Sequence, residues 1–179
     1  MLDGEKDIIK RAINGEASAF GLLYDKYQPQ IYRFIYLKVS HREEAEDLTH
    51  QVFLKSWEKI DEYRPKGFPF SAWLYRIARN LIIDHYRLKK NNLSIDEVDE
   101  LKTESQIDLA TEKKIETEKI KKAINRLSPE QQDIIILRFV EELSPKETAS
   151  ILNKTEISVR MLQYRALKNL RKILNLKDE

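Results

Sequence analysis

The sequence predicts an all-α protein made of two small helical domains joined by an acidic, flexible linker. The 179 residues include only four glycines, and apolar residues recur at helical rather than alternating spacing. Charge is also segregated along the chain, because an acidic stretch separates two basic ones. We therefore expect a first domain at residues 1–92, a linker at 93–118 and a second domain at 119–179.

Acidic residues are concentrated at one helix start in the first domain. Apolar residues repeat at helical spacing from Ala19 to Val39, which indicates a core-forming helix. The next helix is predicted from about Arg42 to Lys59. Its first turns carry acids, where the helix dipole favours them: Glu43, Glu44, Glu46 and Asp47. Four acids exceed what capping requires, so this helix predicts a basic protein partner.

A loop rich in aromatic residues follows. Residues 63–70 contain two prolines and a glycine, which forbid a regular helix. Ser71 is the predicted cap of a helix over residues 72–88 that ends in basic side chains. Phe68 and Phe70 could therefore hold unstacked bases, since stacking a base on protein contributes roughly 1–3 kcal/mol. The alternative is that both rings pack beneath the loop.

The predicted linker is defined by its charge. Residues 91–118 hold nine acids against three lysines and no aromatic residue, so we expect them to be disordered or partly helical. Residues 76–90 before them carry a net charge of +4, and residues 158–177 after them carry +6. Two basic segments on an acidic tether indicate two modules that bind one polyanion.

The second domain contains two similar helix starts sixteen residues apart. Ser128-Pro129 and Ser144-Pro145 each place a capping hydroxyl before a proline that needs no donor. Gln131 and Glu147 then stand where a capping box is completed. A third, basic helix follows. Three short helices of this kind predict a helix-turn-helix DNA-binding domain.

The third helix has a basic face. Asn153 is the predicted left-handed end of the preceding helix, and Thr155 is the predicted N-cap. At about 100° per residue, apolar side chains cluster around Val159. The opposite arc contains no acid and carries Arg160, Met161, Tyr164, Arg165, Lys168, Arg171 and Lys172. An unmixed basic face around a tyrosine predicts contacts to phosphates and base edges.

Composition excludes several other classes of site. The chain has no cysteine, which excludes disulfides and thiolate zinc sites within it. No apolar run approaches the roughly 18 residues of a membrane span, and no signal peptide heads the sequence. We expect a cytoplasmic protein without direct membrane insertion. No catalytic residue, metal ligand or cofactor is predicted.

Three segments, in order, resemble bacterial extracytoplasmic-function (ECF) sigma factors. Residues 44–57 resemble the core-polymerase-binding helix of that family, and residues 72–80 with the following Asp84 and Tyr86-Arg87 also resemble its members. Residues 127–139 and 159–171 are similar to the −35-reading domain. His50-Gln51 depart from the Gln-Glu that members commonly carry, which makes the polymerase-facing surface less negative.

The resemblance implies a factor that binds core RNA polymerase, directs it to promoters and promotes DNA melting. The polymerase-binding residues would be Glu46, Asp47, Gln51, Phe53 and Trp57. The single-stranded −10 element would be opened and held by Arg64, Phe68, Phe70, Arg76, Arg79 and Asn80. The duplex −35 element would receive Arg160, Met161, Tyr164 and Arg165 in its major groove, with Lys168 and Arg171 or Lys172 on phosphates. The resemblance further implies an anti-sigma factor as a partner.

The same residues are also compatible with two other functions. A stand-alone helix-turn-helix regulator with a helical sensor domain would use the basic third helix, but it would not need the acidic helix or the aromatic loop. A helical metalloenzyme could use Asp47 and His50, one turn apart, with Asp84 and His85. Such bundles use two Glu-x-x-His motifs, and the chain has one comparable pair, so we predict that His50 is a surface residue.

Overall fold

The chain is helical throughout the part that the structure describes. The structure is a computed structural model and describes residues 4–64, 68–92 and 112–175. Within these ranges there are eight α-helices and no strand. They fall into two compact units, Met1–Lys89 and Lys90–Glu179. The predicted all-α, two-domain fold is confirmed. Most of the predicted linker lies outside the described residues, and its boundaries at 92 and 118 remain predictions.

The N-terminal unit is built from four helices. They are α1 (Glu5–Ile13), α2 (Ala17–Val39), α3 (Arg42–Glu58) and α4 (Phe70–Asn92), with a 3-10 turn at Ile60–Glu62. Phe34, Val52 and Tyr75, from α2, α3 and α4, are fully buried. The rings of Phe34 and Tyr75 meet edge to face, 5.3 Å between centroids. This shared core leaves the opposite sides of α3 and α4 free to carry polar residues.

Helix α4 begins earlier than predicted. Its first residue is Phe70, so the predicted N-cap at Ser71 is wrong. The Phe70 ring packs against Tyr27, Tyr63 and Trp73, with centroid distances of 5.7, 5.2 and 5.4 Å. Burial of this ring in the core fixes the backbone of residue 70 at the helix start, ahead of the serine.

Among its described residues, the C-terminal unit contains four α-helices, and the last three are the helices of the predicted helix-turn-helix domain. The order is α5 (Glu112–Asn125), α6 (Pro129–Ile135), a π-helical turn (Ile136–Val140), α7 (Pro145–Leu152) and α8 (Glu156–Ile173). Helix α5 begins inside the range predicted as linker. Side chains from each of the last four helices form the core of this unit: Ile124, Ile134, Ile151, Val159 and Ala166.

One of the two predicted capping boxes is present. At α7 the Ser144 hydroxyl accepts from the Glu147 backbone N–H at 3.2 Å, and the Glu147 carboxylate accepts from the Ser144 N–H at 2.8 Å. The box predicted at Ser128 is wrong, because Ser128 makes no side-chain cap bond. The side chain of Gln131, the reciprocal partner, is engaged elsewhere, since its Oε1 accepts from Asn169 Nδ2 on α8 at 3.2 Å.

The turn between α7 and α8 follows the prediction. Asn153 is left-handed, with φ of 53° and ψ of 47°, a conformation that asparagine tolerates better than most residues. The Thr155 hydroxyl accepts from the Ser158 N–H at 3.1 Å and so caps α8. These two residues fix the direction in which α8 leaves the turn.

Candidate functional site

The basic face predicted on the third helix exists as one surface of α8. Val159 and Ala166 are buried against the unit. All seven side chains predicted to contact duplex DNA are exposed on the other side: Arg160, Met161, Tyr164, Arg165, Lys168, Arg171 and Lys172. The structure therefore brings every member of this predicted site onto the solvent-facing side of a single helix.

Three side-chain contacts position α8 within its unit. Arg138 Nε, in the π-helical turn, donates to Gln163 Oε1 at 3.0 Å. Gln131 of α6 accepts from Asn169 near the other end of α8. Lys154, just before α8, lies 3.0 Å from the Glu130 carboxylate. Two bonds spaced along one helix fix its rotation, so the basic face has a defined orientation.

The charge on this face is available to an external anion. Arg160, Arg165, Lys168 and Lys172 form no ion pair with any residue that the structure describes. The one acid in α8 is Glu156, in its first turn. Cations arranged in this way neutralise phosphates and release the counterions that duplex DNA carries.

A second polar face runs along α4. Arg76, Asn80, Ile83 and Arg87 are exposed at spacings of four, three and four residues, which places them on one side of the helix. Arg87 pairs with Asp84 at 3.0 Å, and Arg79 is half-buried at the edge of this face. The predicted residues Arg76 and Asn80 therefore share a surface.

Phe68 and Phe70, near the start of α4, differ in their exposure to solvent, which the sequence did not predict. The Phe68 ring is 42% exposed, whereas Phe70 is 1% exposed. The prediction that Phe70 contacts bases is corrected, because its ring belongs to the core described above. Tyr63 Oη donates to the Phe68 carbonyl at 3.1 Å and anchors the backbone beneath the exposed ring. Arg64 donates to the carbonyls of Asp61 and Tyr63.

Helix α3 presents an acidic and partly apolar face. The exposed side carries Glu43, Asp47, Gln51, Leu54 and Glu58. Glu46 is exposed at the edge of this face and pairs with Arg42 at 2.8 Å. The predicted residues Glu46, Asp47 and Gln51 are therefore all accessible. His50 is also exposed, as predicted.

The two aromatic residues of the predicted polymerase site, Phe53 and Trp57, are less exposed than its polar residues. Phe53 is buried against Phe20 and Tyr24, so the prediction that it contacts a partner directly is corrected. Trp57 is half-buried, with its ring 4.9 Å from that of Phe20. A shallow groove of about 320 Å³ lies beside Trp57 and is bordered by Leu54 and Phe20. An apolar groove thus adjoins the acidic face of α3.

Glu44 is the acid of α3 that points inward. Its carboxylate oxygens lie 3.0 Å from His85 Nε2 and 2.9 Å from Lys89 Nζ, both on α4. Burial raises the pKa of Glu44, but the hydrogen bonds from Lys89 and His85 outweigh burial, so that its pKa lies below the usual value. Glu44 therefore joins two helices and is not part of the outward acidic face.

Each of the three faces also carries an exposed apolar residue that the sequence did not predict as part of a site: Leu54 on α3, Ile83 on α4 and Ile157 on α8. The helical wheel places Ile157 within the same arc as the basic residues, about 160° from Val159. Helical spacing alone therefore indicates that Ile157 belongs to this face, together with Met161 and Tyr164.

The described residues offer neither a metal cluster nor a membrane helix. No group of three or more histidine, aspartate or glutamate side chains in these ranges is arranged to hold a metal ion. Among the same residues, no helix combines the length and the apolar character needed to cross a bilayer.

Two family models match the two units. Sigma-70 region 2 matches residues 23–92, and sigma-70 region 4 matches residues 117–170. The chain is 37% identical to the ECF RNA polymerase sigma factor BldN of Streptomyces coelicolor, over 94% of this chain and 65% of that protein. It is 32% identical to the ECF RNA polymerase sigma factor SigW of Bacillus subtilis, over 94% of this chain and 96% of that protein.

A solved structure has a similar helical fold. The sigma factor RpoE of Bartonella quintana, determined in complex with the anti-sigma factor NepR, superimposes with a TM-score of 0.74. The match covers 89% of this chain and 98% of that chain at 26% sequence identity.

Proposed function

The chain belongs to the ECF RNA polymerase sigma factors, and we propose that it binds core RNA polymerase, directs it to promoters and promotes melting of the −10 element. Membership of this family makes it a transcription initiation factor rather than an enzyme. One observation carries the assignment of surfaces: the chain combines an outward acidic face on α3 with an outward basic face on α8.

The face of α8 is proposed to read the −35 element. Arg160, Met161, Tyr164 and Arg165 enter the major groove, where base edges present distinct donors, acceptors and methyl groups. Lys168 and Arg171 or Lys172 bind phosphates and set the register of the helix. The exposure of all seven side chains supports this assignment.

The face of α4 and the Phe68 loop are proposed to hold the opened −10 element. Losing one duplex stacking step costs about 1.4 kcal/mol, and stacking a base on an aromatic side chain returns roughly 1–3 kcal/mol. Phe68 offers an exposed ring for this purpose, and Arg64, Arg76, Arg79 and Asn80 supply the polar contacts. Phe70 contributes by anchoring the start of α4.

The outward face of α3 is proposed to bind a basic surface of core polymerase. Asp47 and Glu46 supply charge that steers association, and Gln51 supplies hydrogen bonds. Trp57 and the adjoining groove would add apolar contact area, with Phe53 supporting the groove from within. The linker would pass through the polymerase between the two DNA-binding units.

Location and regulation are also proposals. Since core RNA polymerase acts in the cytoplasm, we place the chain there. The Bartonella relative was solved with an anti-sigma factor bound, which supports a comparable inhibitor for this chain.

In vitro transcription tests the proposal directly. Bacterial core polymerase would transcribe fragmented genomic DNA of the source bacterium with and without this chain. Discrete new start sites that share upstream elements are the expected result. If no new starts appeared and the chain did not join the polymerase fraction, the sigma-factor function would be wrong. Tight duplex binding without polymerase would then favour the stand-alone helix-turn-helix regulator.

A further inference from the structure

An apolar strip runs down the centre of the basic face of α8. Ile157, Met161 and Tyr164 are 76%, 53% and 68% exposed. They stand at positions i, i+4 and i+7, which share one side of a helix. Val159 and Ala166 fill the core from the opposite side. The three side chains of the strip therefore do not contribute to the core of this unit.

Ile157 is the most exposed member of this strip and has no role in the function proposed above. It is the second residue of α8. The first turn of this helix is held by the N-cap Thr155, whose hydroxyl accepts a hydrogen bond from the Ser158 N–H. The side chain is consequently held at a defined place at the N-terminal end of the helix. In helix-turn-helix proteins this end of the third helix contacts base edges.

The surroundings of Ile157 identify the surface that it complements. Arg160, one turn further along α8, lies about 60° to one side of Ile157 around the helix axis, and Arg165, about two turns further along, lies about 80° to the other side. Neither forms an ion pair within the described residues. Cationic flanks with an apolar centre match the major groove of duplex DNA, where phosphates border the base edges. The apolar group on those edges is the 5-methyl of thymine.

We propose that Ile157 is a specificity-determining residue that reads a thymine of the −35 element through its 5-methyl group. The proposal rests on the function proposed for α8 and adds a contact that carries sequence information. A branched aliphatic side chain has no donor or acceptor, so the contact distinguishes thymine by its methyl group alone. Burial of one methyl-sized group changes affinity about fourfold.

The test replaces thymidine in the DNA by deoxyuridine, whose base, uracil, differs from thymine only in lacking the 5-methyl group. The holoenzyme is reconstituted from core polymerase and the full chain, and closed-complex affinity is measured on its own promoter. Each −35 thymine, on either strand, is replaced in turn. Wild type should lose about fourfold in affinity at one position. Ile157→Ala should bind the unmodified promoter about fourfold more weakly and lose nothing further at that position.

Two variants serve as matched controls. Ile157→Val keeps a branched apolar side chain and should keep the preference for thymine over deoxyuridine. Ile120→Ala removes another exposed isoleucine, on α5, and should behave as wild type at every position. Together they separate loss of the methyl contact from a general loss of surface apolarity.

The outcomes also separate this proposal from the function on which it rests. If Ile157→Ala kept the wild-type preference at every −35 thymine, the role of Ile157 would be wrong and −35 reading by α8 would stand. Indifference of wild type to all deoxyuridine replacements, or a −35 element without thymine on either strand, would overturn it equally. If the −35 sequence had no effect on binding at all, the function proposed for α8 would itself fail.

Discussion

Lys89 Nζ, near the end of α4, lies 2.9 Å from a carboxylate oxygen of Glu44 at the start of α3. The other Glu44 oxygen faces His85 Nε2 at 3.0 Å, and Tyr86 Oη donates to the Lys38 carbonyl at the end of α2 at 2.9 Å. These bonds fasten the last turns of α4 to α3 and α2. The proposed polymerase-binding helix and the proposed −10-binding helix are thereby held as one body.

Glu44→Gln should lower the free energy of unfolding by about 1–2 kcal/mol. Charged hydrogen bonds contribute roughly 1.5–3 kcal/mol each, but partial exposure of this cluster reduces the net effect. Glu43→Gln is the matched control, because Glu43 is exposed and forms no ion pair with a described residue. It should change stability by less than about 0.5 kcal/mol. Urea unfolding of both variants measures the difference, and equal effects would contradict an internal role for Glu44.

The stabilisation by Glu44 should depend on pH in a defined direction. Its pKa is lowered in the folded protein, so the unfolded chain takes up the proton first as pH falls. The contribution is therefore complete above the unfolded pKa of about 4.3 and is lost as pH falls through the lower folded pKa. The difference in unfolding free energy between wild type and Glu44→Gln should shrink over that window. A difference that grew on acidification would oppose this assignment.

Phe68→Ala and Phe70→Ala should have opposite consequences. Phe70→Ala removes a buried ring and should destabilise the protein by about 3–5 kcal/mol. Phe68→Ala removes an exposed ring, so stability should change by less than about 0.5 kcal/mol. Loss of one base-stacking contact of about 1 kcal/mol or more should still reduce open-complex formation about fivefold. Thermal unfolding and permanganate reactivity of the −10 bases measure the two effects. Normal opening by Phe68→Ala would exclude that ring from the melting site.

The difference in burial between Phe68 and Phe70 could not be predicted from the sequence. Periodicity and capping residues predicted the helices, because each depends on neighbours within one or two turns. Whether a loop ring is buried depends on Tyr27 and Trp73, which are remote in sequence or on the next turn. The same limit explains Ser128, whose capping partner Gln131 is bonded to Asn169 on another helix. A local sequence pattern does not show whether a residue on another helix will bind or bury the same side chain.

The two serine helix starts provide a test of capping within one unit. Ser144→Ala removes an observed capping box and should cost about 1 kcal/mol. Ser128→Ala removes a hydroxyl without a cap bond and should cost no more than about 0.5 kcal/mol. Urea unfolding followed by helical circular dichroism compares the two. A larger loss from Ser128→Ala would mean that its hydroxyl caps α6 in solution.

The two DNA-facing helices should act at different steps of initiation. Arg165→Ala removes a proposed base contact in the duplex and should weaken closed-complex binding about fivefold or more, since such contacts contribute roughly 1–3 kcal/mol. Asn80→Ala should leave closed binding within about twofold and reduce opening, because unstacked bases are bound only after melting. Arg126→Ala, an exposed cation outside α8, controls for loss of charge. Closed binding is measured on ice, and opening is measured by permanganate reactivity at growth temperature. Equal losses of closed binding in Arg165→Ala and Asn80→Ala would contradict this division, since the α4 face would then bind the duplex as α8 does.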